Sequence, residues 1–454
     1  MNNEIFREYD IRGSVEDDLA DDVVRSIGKA FGAYMVRLGK KRASLCRDCR
    51  LSSGHYRDIL AEAMVESGLD VVDVGLAPTP LFYYSLFNLD VEGGIMITGS
   101  HNPPSMNGFK VAVDRATLYG EQIQDMRRII EAERYVSDVG SYREYKDIVK
   151  DYYGYLRKSI KIGKRFNVVM DAGNGTGGVI AAPIMKEFGQ NVTELFCDMD
   201  GHFPNHFPDP TVEKNLAALR ETVLREKADV GIGYDGDADR IGIIDEKGGI
   251  IWGDYLMLIY ARQVLKEHKG AIFVSEVKCS RNLFDDIAKR GGVPIMWKAG
   301  HSLIKQKMRE VHAMMGGEMS GHIFFADRFF GYDDAIYASL RFLEIMEEDG
   351  RPVSEFLADL PKTYFTPEIR TDCPDRVKFD VVRELTELYR SQYPIIDIDG
   401  VRAMFDDGWG LVRPSNTQPI LVLRFEADTK EGLDRIQSMV TEDLERIMKK
   451  FQGT

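Results

Sequence analysis

GGIMITGSHNPP, residues 93–104, sets an apolar run of strand length against a polar loop that two prolines bring to a stop. The first five residues predict a buried strand, which leaves Ser100 just beyond its carboxyl end, the edge at which open α/β sheets carry their chemistry. Pro103 and Pro104 fix two φ angles and bias Asn102 and Pro103 away from helix, so the loop is expected to hold one shape. Upstream, ILAEAMVESG-LDVVDVG (59–75) reads as amphipathic helix, glycine stop and strand. That order returns in APIMKEFG-QNVTELF (182–196) and LFDDIAKRGG-VPIMWKAG (283–300). Each copy then leads to a further short strand and a chemically loaded loop, here ADVGIGYDGDADR (228–240) and MMGGEMSGH (314–322). Three α/β domains of similar build follow from the pattern. The carboxyl-terminal stretch differs: TPEIRT, a helical VRELTELYRSQ, IDGVRAMF, GWGLVRPSNTQPILVLRFEA and a charged helix from Lys430 predict an α+β module. The charged run around 141–157, SYREYKDIVKDYYGYLR, reads as a helix linking the first and second domains.

A chain of 454 residues exceeds the roughly 250–300 at which a single core stops growing. Hydrophobic content of 44% with 29% charged residues fits a folded, soluble chain. The amino terminus, MNNEIFREYDIRG, has no apolar core of signal-peptide length, and no apolar run is long enough to span a bilayer, so a cytoplasmic location and no membrane partner are expected. Five cysteines are too few, and odd in number, for a disulfide framework. Cys46 and Cys49 have CxxC spacing, but the motif reads CRDC and lacks a second pair, so they are taken as incidental thiols. A net charge of −14 argues against nucleic-acid binding, which needs a positive field. An anionic small substrate would need a local cationic pocket.

DGDADR, 235–240, alternates Asp235, Asp237 and Asp239 with small residues, three hard carboxylates that converge on a divalent cation if the backbone curls around it. A calcium hand is nearly matched, with Glu246 at the twelfth position. Arg240, however, stands where that loop needs glycine, and the flanks VGIGY and IGIID alternate like strands where the hand needs helices. A magnesium site with open positions fits better. GGEMSGH (316–322) supplies Glu318, Ser320 and His322, acceptors and donors suited to gripping hydroxyls. RPSNTQP (413–419) combines Arg413, Ser415, Asn416, Thr417 and Gln418 between two prolines, a fork and backbone donors suited to phosphate. Lys298 and His301 in WKAGHSLIK, Tyr9 and Arg12 in REYDIRG, and Lys110 are further candidates.

TGSHNPP with NGFK following, DGDADR, KAGHS, GEMSGH and RPSNTQP, in that order across the chain, resemble the α-D-phosphohexomutases, in particular the bacterial phosphomannomutase/phosphoglucomutase type. The resemblance implies a heart-shaped protein of three related α/β domains with mixed sheets and a smaller α+β fourth domain. Their expected limits are 1–148 (serine loop), 149–250 (metal), 251–364 (sugar) and 365–454 (phosphate clamp). It also implies that Ser100 rests phosphorylated, that one Mg²⁺ per chain is held by Asp235, Asp237, Asp239 and the Ser100 phosphate, that Glu318 and Ser320 read the sugar, and that RPSNTQP grips the nonreacting phosphate. The implied reaction moves a phosphoryl group between the 1- and 6-positions of mannose or glucose phosphate through a hexose 1,6-bisphosphate. The expected partners are hexose phosphates, with a monomer or weak homo-oligomer as the assembly.

Mg²⁺, Arg240 and Lys110 would spread the charge of a loose phosphoryl transition state. His322, His101 and Lys110 all remain candidates for accepting the hydroxyl proton. Cys46 stands where the family often has glycine before Arg47-Asp48, which leaves Arg47, Asp48 and Arg50 in place. Glucosamine-phosphate mutases are the nearest alternative, though they usually carry glutamine where Met319 stands. A noncatalytic sugar-phosphate sensor would be expected to have lost Ser100 or one of the aspartates. No GxSxG elbow surrounds Ser100, which disfavours a serine hydrolase.

Overall fold

The computed structural model describes residues 1–416 and 418–451 and folds them into four sheets flanked by helices. The first three sheets share one four-strand unit. In the first, Asp70–Leu76, Arg42–Arg47 and Gly93–Ile97 run parallel in that spatial order, and Met106–Val113 returns antiparallel beside the last. The second repeats this with Asn191–Leu195, Asn167–Asp171, Val230–Tyr234 and Ile241–Asp245. The third repeats it with Val293–Trp297, Ile272–Glu276, Met315–Gly317 and Ile323–Phe325. The sheets are therefore mixed, and the loops at 98–104, 235–240, 298–301 and 318–322 each leave the carboxyl end of a parallel strand. The fourth sheet is antiparallel: Ile420–Ala427 and Gly408–Pro414 lie at its centre, with Val401–Phe405 next. Helices Asp375–Arg390 and Lys430–Phe451 pack on it through Val381, Leu385, Ile436, Val440 and Leu444.

The run at 141–157 corrects the sequence reading. Tyr142–Glu144 is a short, exposed strand parallel to Asp70–Leu76, and only Ile148–Ser159 is helical. All three strand residues face solvent at a sheet edge, so their polar composition hid the pairing.

One continuous apolar core joins the first three sheets through helices Thr79–Asn88, Ile148–Ser159, Gly253–Glu267 and Ala335–Asp349. The last of these starts where the Asp334 carboxylate accepts from Tyr337 N and stops at Gly350, in the left-handed conformation. The fourth domain docks differently. The buried Arg402 guanidinium stacks 3.6 Å from the Trp409 ring centre and donates to the Val277 and Cys279 carbonyls at 2.7 and 2.9 Å. Each charge-assisted bond contributes about 1.5–3 kcal/mol, so this polar anchor fixes the fourth sheet against the third. No helix among the described residues is long and apolar enough to cross a membrane.

Candidate active site

Ser100 sits in the loop after Gly93–Ile97 with φ at 49°, in the left-handed region that side chains avoid. Such a conformation costs of order 1–3 kcal/mol and persists only where its surroundings fix it. Here its amide donates to Thr98 Oγ1 at 2.8 Å, its Oγ donates to Asp235 Oδ2 at 2.7 Å, and His101 Nδ1 lies 3.1 Å from the same oxygen.

The carboxylate loop is the turn of the hairpin made by Val230–Tyr234 and Ile241–Asp245, so strands flank it on both sides. It curls on itself: Asp235 Oδ1 accepts from the amides of Asp239 and Arg240 at 3.0 and 3.1 Å, and Ala238 has φ at 55°. Gly236 presses on the serine loop so closely that a Cβ there would lie 2.5 Å from the Ser100 carbonyl oxygen. From the far side, Thr176 N and Oγ1 donate to the Gly236 carbonyl at 2.9 and 3.1 Å. Thr79, at the start of its helix, donates its amide to the Asp237 carbonyl at 2.9 Å and its hydroxyl to Oδ2 at 2.5 Å. Lys110 Nζ reaches Asp237 Oδ2 at 2.8 Å and also contacts Asp239.

Asp235, Asp237 and Asp239 are fully buried and present oxygens within 4.8 Å of one another. Asp237 Oδ1 and Asp239 Oδ1 have no hydrogen-bond partner. Burial and the charges of Asp239 and Asp237 push the Asp235 carboxyl well above the ordinary range. Burial also acts against ionised Asp237, but Lys110 outweighs it and holds that carboxyl low. Hard anionic oxygens left unpartnered in a closed loop fit a divalent cation such as Mg²⁺.

The loop at 318–322 is fastened to this turn, because Ile241 N donates to the Gly321 carbonyl at 3.0 Å and Arg240 bridges His322 through the backbone. Glu318 Oε1 accepts from Gly300 N at 2.7 Å, joining it to the 298–301 loop. The Arg240 guanidinium, a donor only, gives its Nε–H to His322 Nε2 at 3.0 Å, so that nitrogen is the acceptor and the ring proton sits on Nδ1. Nδ1 faces Asp333 Oδ2 at 3.0 Å, and the His301 ring stacks on His322 at 5.4 Å. Burial, together with Arg240 and Arg12, holds His101 well below the ordinary histidine range. Burial likewise lowers His301, helped by Lys305.

The fourth domain closes the ring. Arg413 Nε donates to Asp399 Oδ2 at 2.9 Å, and the same oxygen accepts from Ala299 N at 2.9 Å. Tyr9 OH donates to the Ala299 carbonyl at 2.7 Å and accepts from Asn416 Nδ2 at 2.9 Å, so one phenol from the amino-terminal segment touches both the 298–301 and the 413–418 loops. Ser415 is buried and accepts from Gln418 N at 3.1 Å, while the Gln418 side chain is exposed. Thr417 lies outside the described residues. Arg12 pairs with Asp10 at 2.6 Å and reaches Asn102 at 3.4 Å. Ser320 is half-buried, and Lys298 is exposed with its charge felt at Glu8.

The geometry adds Thr79, Asp333, Asp399 and Thr176 to the residues expected from sequence. Thr176 belongs to DAGNGTGG (171–178), a glycine-rich strand-to-helix turn that was the legible signal of a close backbone approach. The other three are single polar residues brought in by topology.

Family models described as phosphoglucomutase/phosphomannomutase alpha/beta/alpha domains I, II and III match residues 3–136, 144–249 and 252–364, and the C-terminal domain of the same family matches 368–443. A phosphomannomutase/phosphoglucomutase of Pseudomonas aeruginosa is 44% identical over 444 residues, covering 98% of this chain and 96% of that protein. A phosphoglucomutase of Neisseria gonorrhoeae is 42% identical over 443 residues, covering 96% of each. The crystal structure of a phosphoglucomutase/phosphomannomutase family protein from Burkholderia thailandensis superposes with a TM-score of 0.92 at 39% identity, over 99% of this chain and 98% of that one.

Proposed function

The chain belongs to the phosphoglucomutase/phosphomannomutase family, and we propose that it interconverts hexose 1-phosphates and hexose 6-phosphates of mannose, glucose or both. The observation that carries this reading is Ser100 Oγ at 2.7 Å from a buried carboxylate triplet, with the arginine and asparagine of a phosphate-clamp loop joined to the same cleft. A nucleophilic hydroxyl beside unpartnered hard oxygens serves phosphoryl transfer.

Ser100 rests as a phosphoserine. In the first half-reaction its Oγ–P bond breaks while a bond forms from phosphorus to the free sugar hydroxyl oxygen, giving a hexose 1,6-bisphosphate and a Ser100 alkoxide that serves as the nucleophile of the second half-reaction. The hydroxyl proton passes to His322 Nε2, which gives up its bond from the Arg240 Nε–H as it takes the proton, and whose partner nitrogen faces Asp333. Lys110 is a weaker choice, because despite burial the charges of Asp237 and Asp239 hold its ammonium protonated. The bisphosphate turns over, Ser100 attacks its other phosphorus, and the proton returns from His322 to the departing sugar oxygen. Asp235, Asp237, Asp239 and the Ser100 phosphate would hold one Mg²⁺, which when bound draws charge off the phosphoryl oxygens. Arg240 and Lys110 add fixed positive charge on either side. Arg413, Ser415, Asn416 and Gln418 grip the distal phosphate, and Glu318 and Ser320 face the sugar hydroxyls in both of its orientations.

The test compares mannose 1-phosphate, glucose 1-phosphate and glucosamine 1-phosphate with a trace of hexose bisphosphate. Turnover of the first two above the amino sugar is expected, and a clear preference for the amino sugar would overturn the assignment.

A further inference from the structure

The CRDCR motif (46–50) has no part in the transfer itself, yet its last residue is the most heavily engaged side chain beneath the serine loop. The Arg50 side chain is fully buried, and its two terminal nitrogens collect four carbonyls of one loop. Nη2 donates to Ser100 and Asn102 at 2.8 and 2.5 Å, and Nη1 donates to Pro103 and Met106 at 2.7 and 2.9 Å. Asp48 holds the fork from behind, 3.3 Å from Nε, and is itself fixed by the Arg50 amide at 3.0 Å and the Ser53 hydroxyl at 2.5 Å. The loop carries no glycine between Ser100 and Met106 that would let these carbonyls turn elsewhere.

Two further contacts link this fork to the second domain. The Phe203 ring closes over the Arg50 guanidinium at 5.1 Å, and the Cys49 thiol reaches the Asn174 carbonyl at 3.6 Å, in the glycine-rich turn that seats Gly236. The Ser100 carbonyl that Arg50 holds is the atom against which Gly236 packs. Gly99 leaves room for the fork: a Cβ there would lie 2.7 Å from its central carbon.

We propose that Arg50 is a positioning residue for phosphoryl transfer. By gathering the carbonyls of Ser100, Asn102, Pro103 and Met106 it holds Ser100 in its left-handed conformation and in register with the carboxylate loop of the second domain. Two prolines alone do not do this, since they restrain φ at 103 and 104 and leave Ser100 free. A lysine keeps the charge but not the planar fork, and cannot hold four carbonyls at once. The inference rests on the reading of Ser100 as the phosphoryl carrier.

The experiment follows loading of dephosphorylated protein by glucose 1,6-bisphosphate, read as the mass increment on Ser100 in rapid-quench samples, for wild type, Arg50→Lys and Gly99→Ala. Steady-state kcat and KM and circular dichroism are measured alongside. Both variants are expected to keep their fold and the wild-type KM, and to load Ser100 and turn over about 100-fold more slowly, the cost of a misplacement near 1 Å. A purely structural role would instead lower the folded fraction and leave the loading rate of the folded protein unchanged. Wild-type loading in folded Arg50→Lys overturns the proposal. If Arg50→Lys does not fold, Gly99→Ala decides by the same rate. A wild type that takes no phosphate from the bisphosphate would overturn the carrier reading, and this proposal with it.

Discussion

Tyr9→Phe removes one oxygen and leaves the ring in place, so it isolates the link between the phosphate-clamp loop and the rest of the cleft. The lost hydroxyl donates to the Ala299 carbonyl at 2.7 Å and accepts from Asn416 at 2.9 Å. Ala299 is buried, so its carbonyl loses its donor at a cost of about 1–3 kcal/mol. Asn416 is half-buried, can turn to water, and adds little. Spent on the joined arrangement of the loops, that free energy corresponds to about 5–150-fold in its population. The joined arrangement is the one that presents Arg413 and Asn416 together, so the effect falls on binding. KM for mannose 1-phosphate is expected to rise about tenfold, within that range, while kcat at saturation stays close to wild type. Steady-state kinetics with a coupled assay decide it, with circular dichroism to verify the fold. An unchanged KM would refute the assignment of Tyr9 as the tie, and a fall in kcat at constant KM would move its role to the transition state.

Asp237→Asn should weaken metal binding measured by isothermal titration and abolish turnover, because it removes charge from the oxygen that has no other partner. His322→Gln should lower kcat by about 10²–10⁴ with KM preserved; activity close to wild type would exclude it as the proton acceptor. His206 faces the Asp171 carboxylate at 3.1 Å with one ring nitrogen and the Phe207 carbonyl at 2.9 Å with the other. Burial opposes its charge, but those partners outweigh it and raise its pKa above 6.5. A raised folded-state pKa contributes stability that is complete below the unfolded value and lost as pH rises through the folded one. The difference in melting temperature between wild type and His206→Gln should therefore shrink from slightly acidic to alkaline pH, and a gap that widens would contradict the ion pair.

The serine loop, the carboxylate turn and the clamp loop were legible in the sequence because their chemistry is concentrated within a few consecutive residues. The threefold domain pattern was legible too, since helix, glycine and strand recur in the same order and the three sheets share one strand arrangement. Arg50, Thr79, Asp333 and Asp399 were not assigned roles, because each is one polar residue in an unremarkable context. Their partners lie far away in the chain: Thr79 meets Asp237, and Asp399 meets Ala299, only after the sheets pack. The strand at 142–144 escaped because an exposed edge carries no alternation of apolar residues. The proposal of His322 over His101 and Lys110 draws on Arg240, whose Nε–H donates to His322 Nε2, and on Asp333, which faces the other ring nitrogen; neither pairing could be read from sequence alone.

In the proposed cycle every phosphoryl group passes through Ser100 Oγ. Protein loaded on Ser100 with radiolabelled phosphate and chased with unlabelled mannose 1-phosphate tests this directly. The label should move within the first turnovers into hexose bisphosphate and hexose phosphate, and Ser100→Ala should take none. Label that stays on the protein while substrate turns over, or that leaves only as inorganic phosphate, would contradict it.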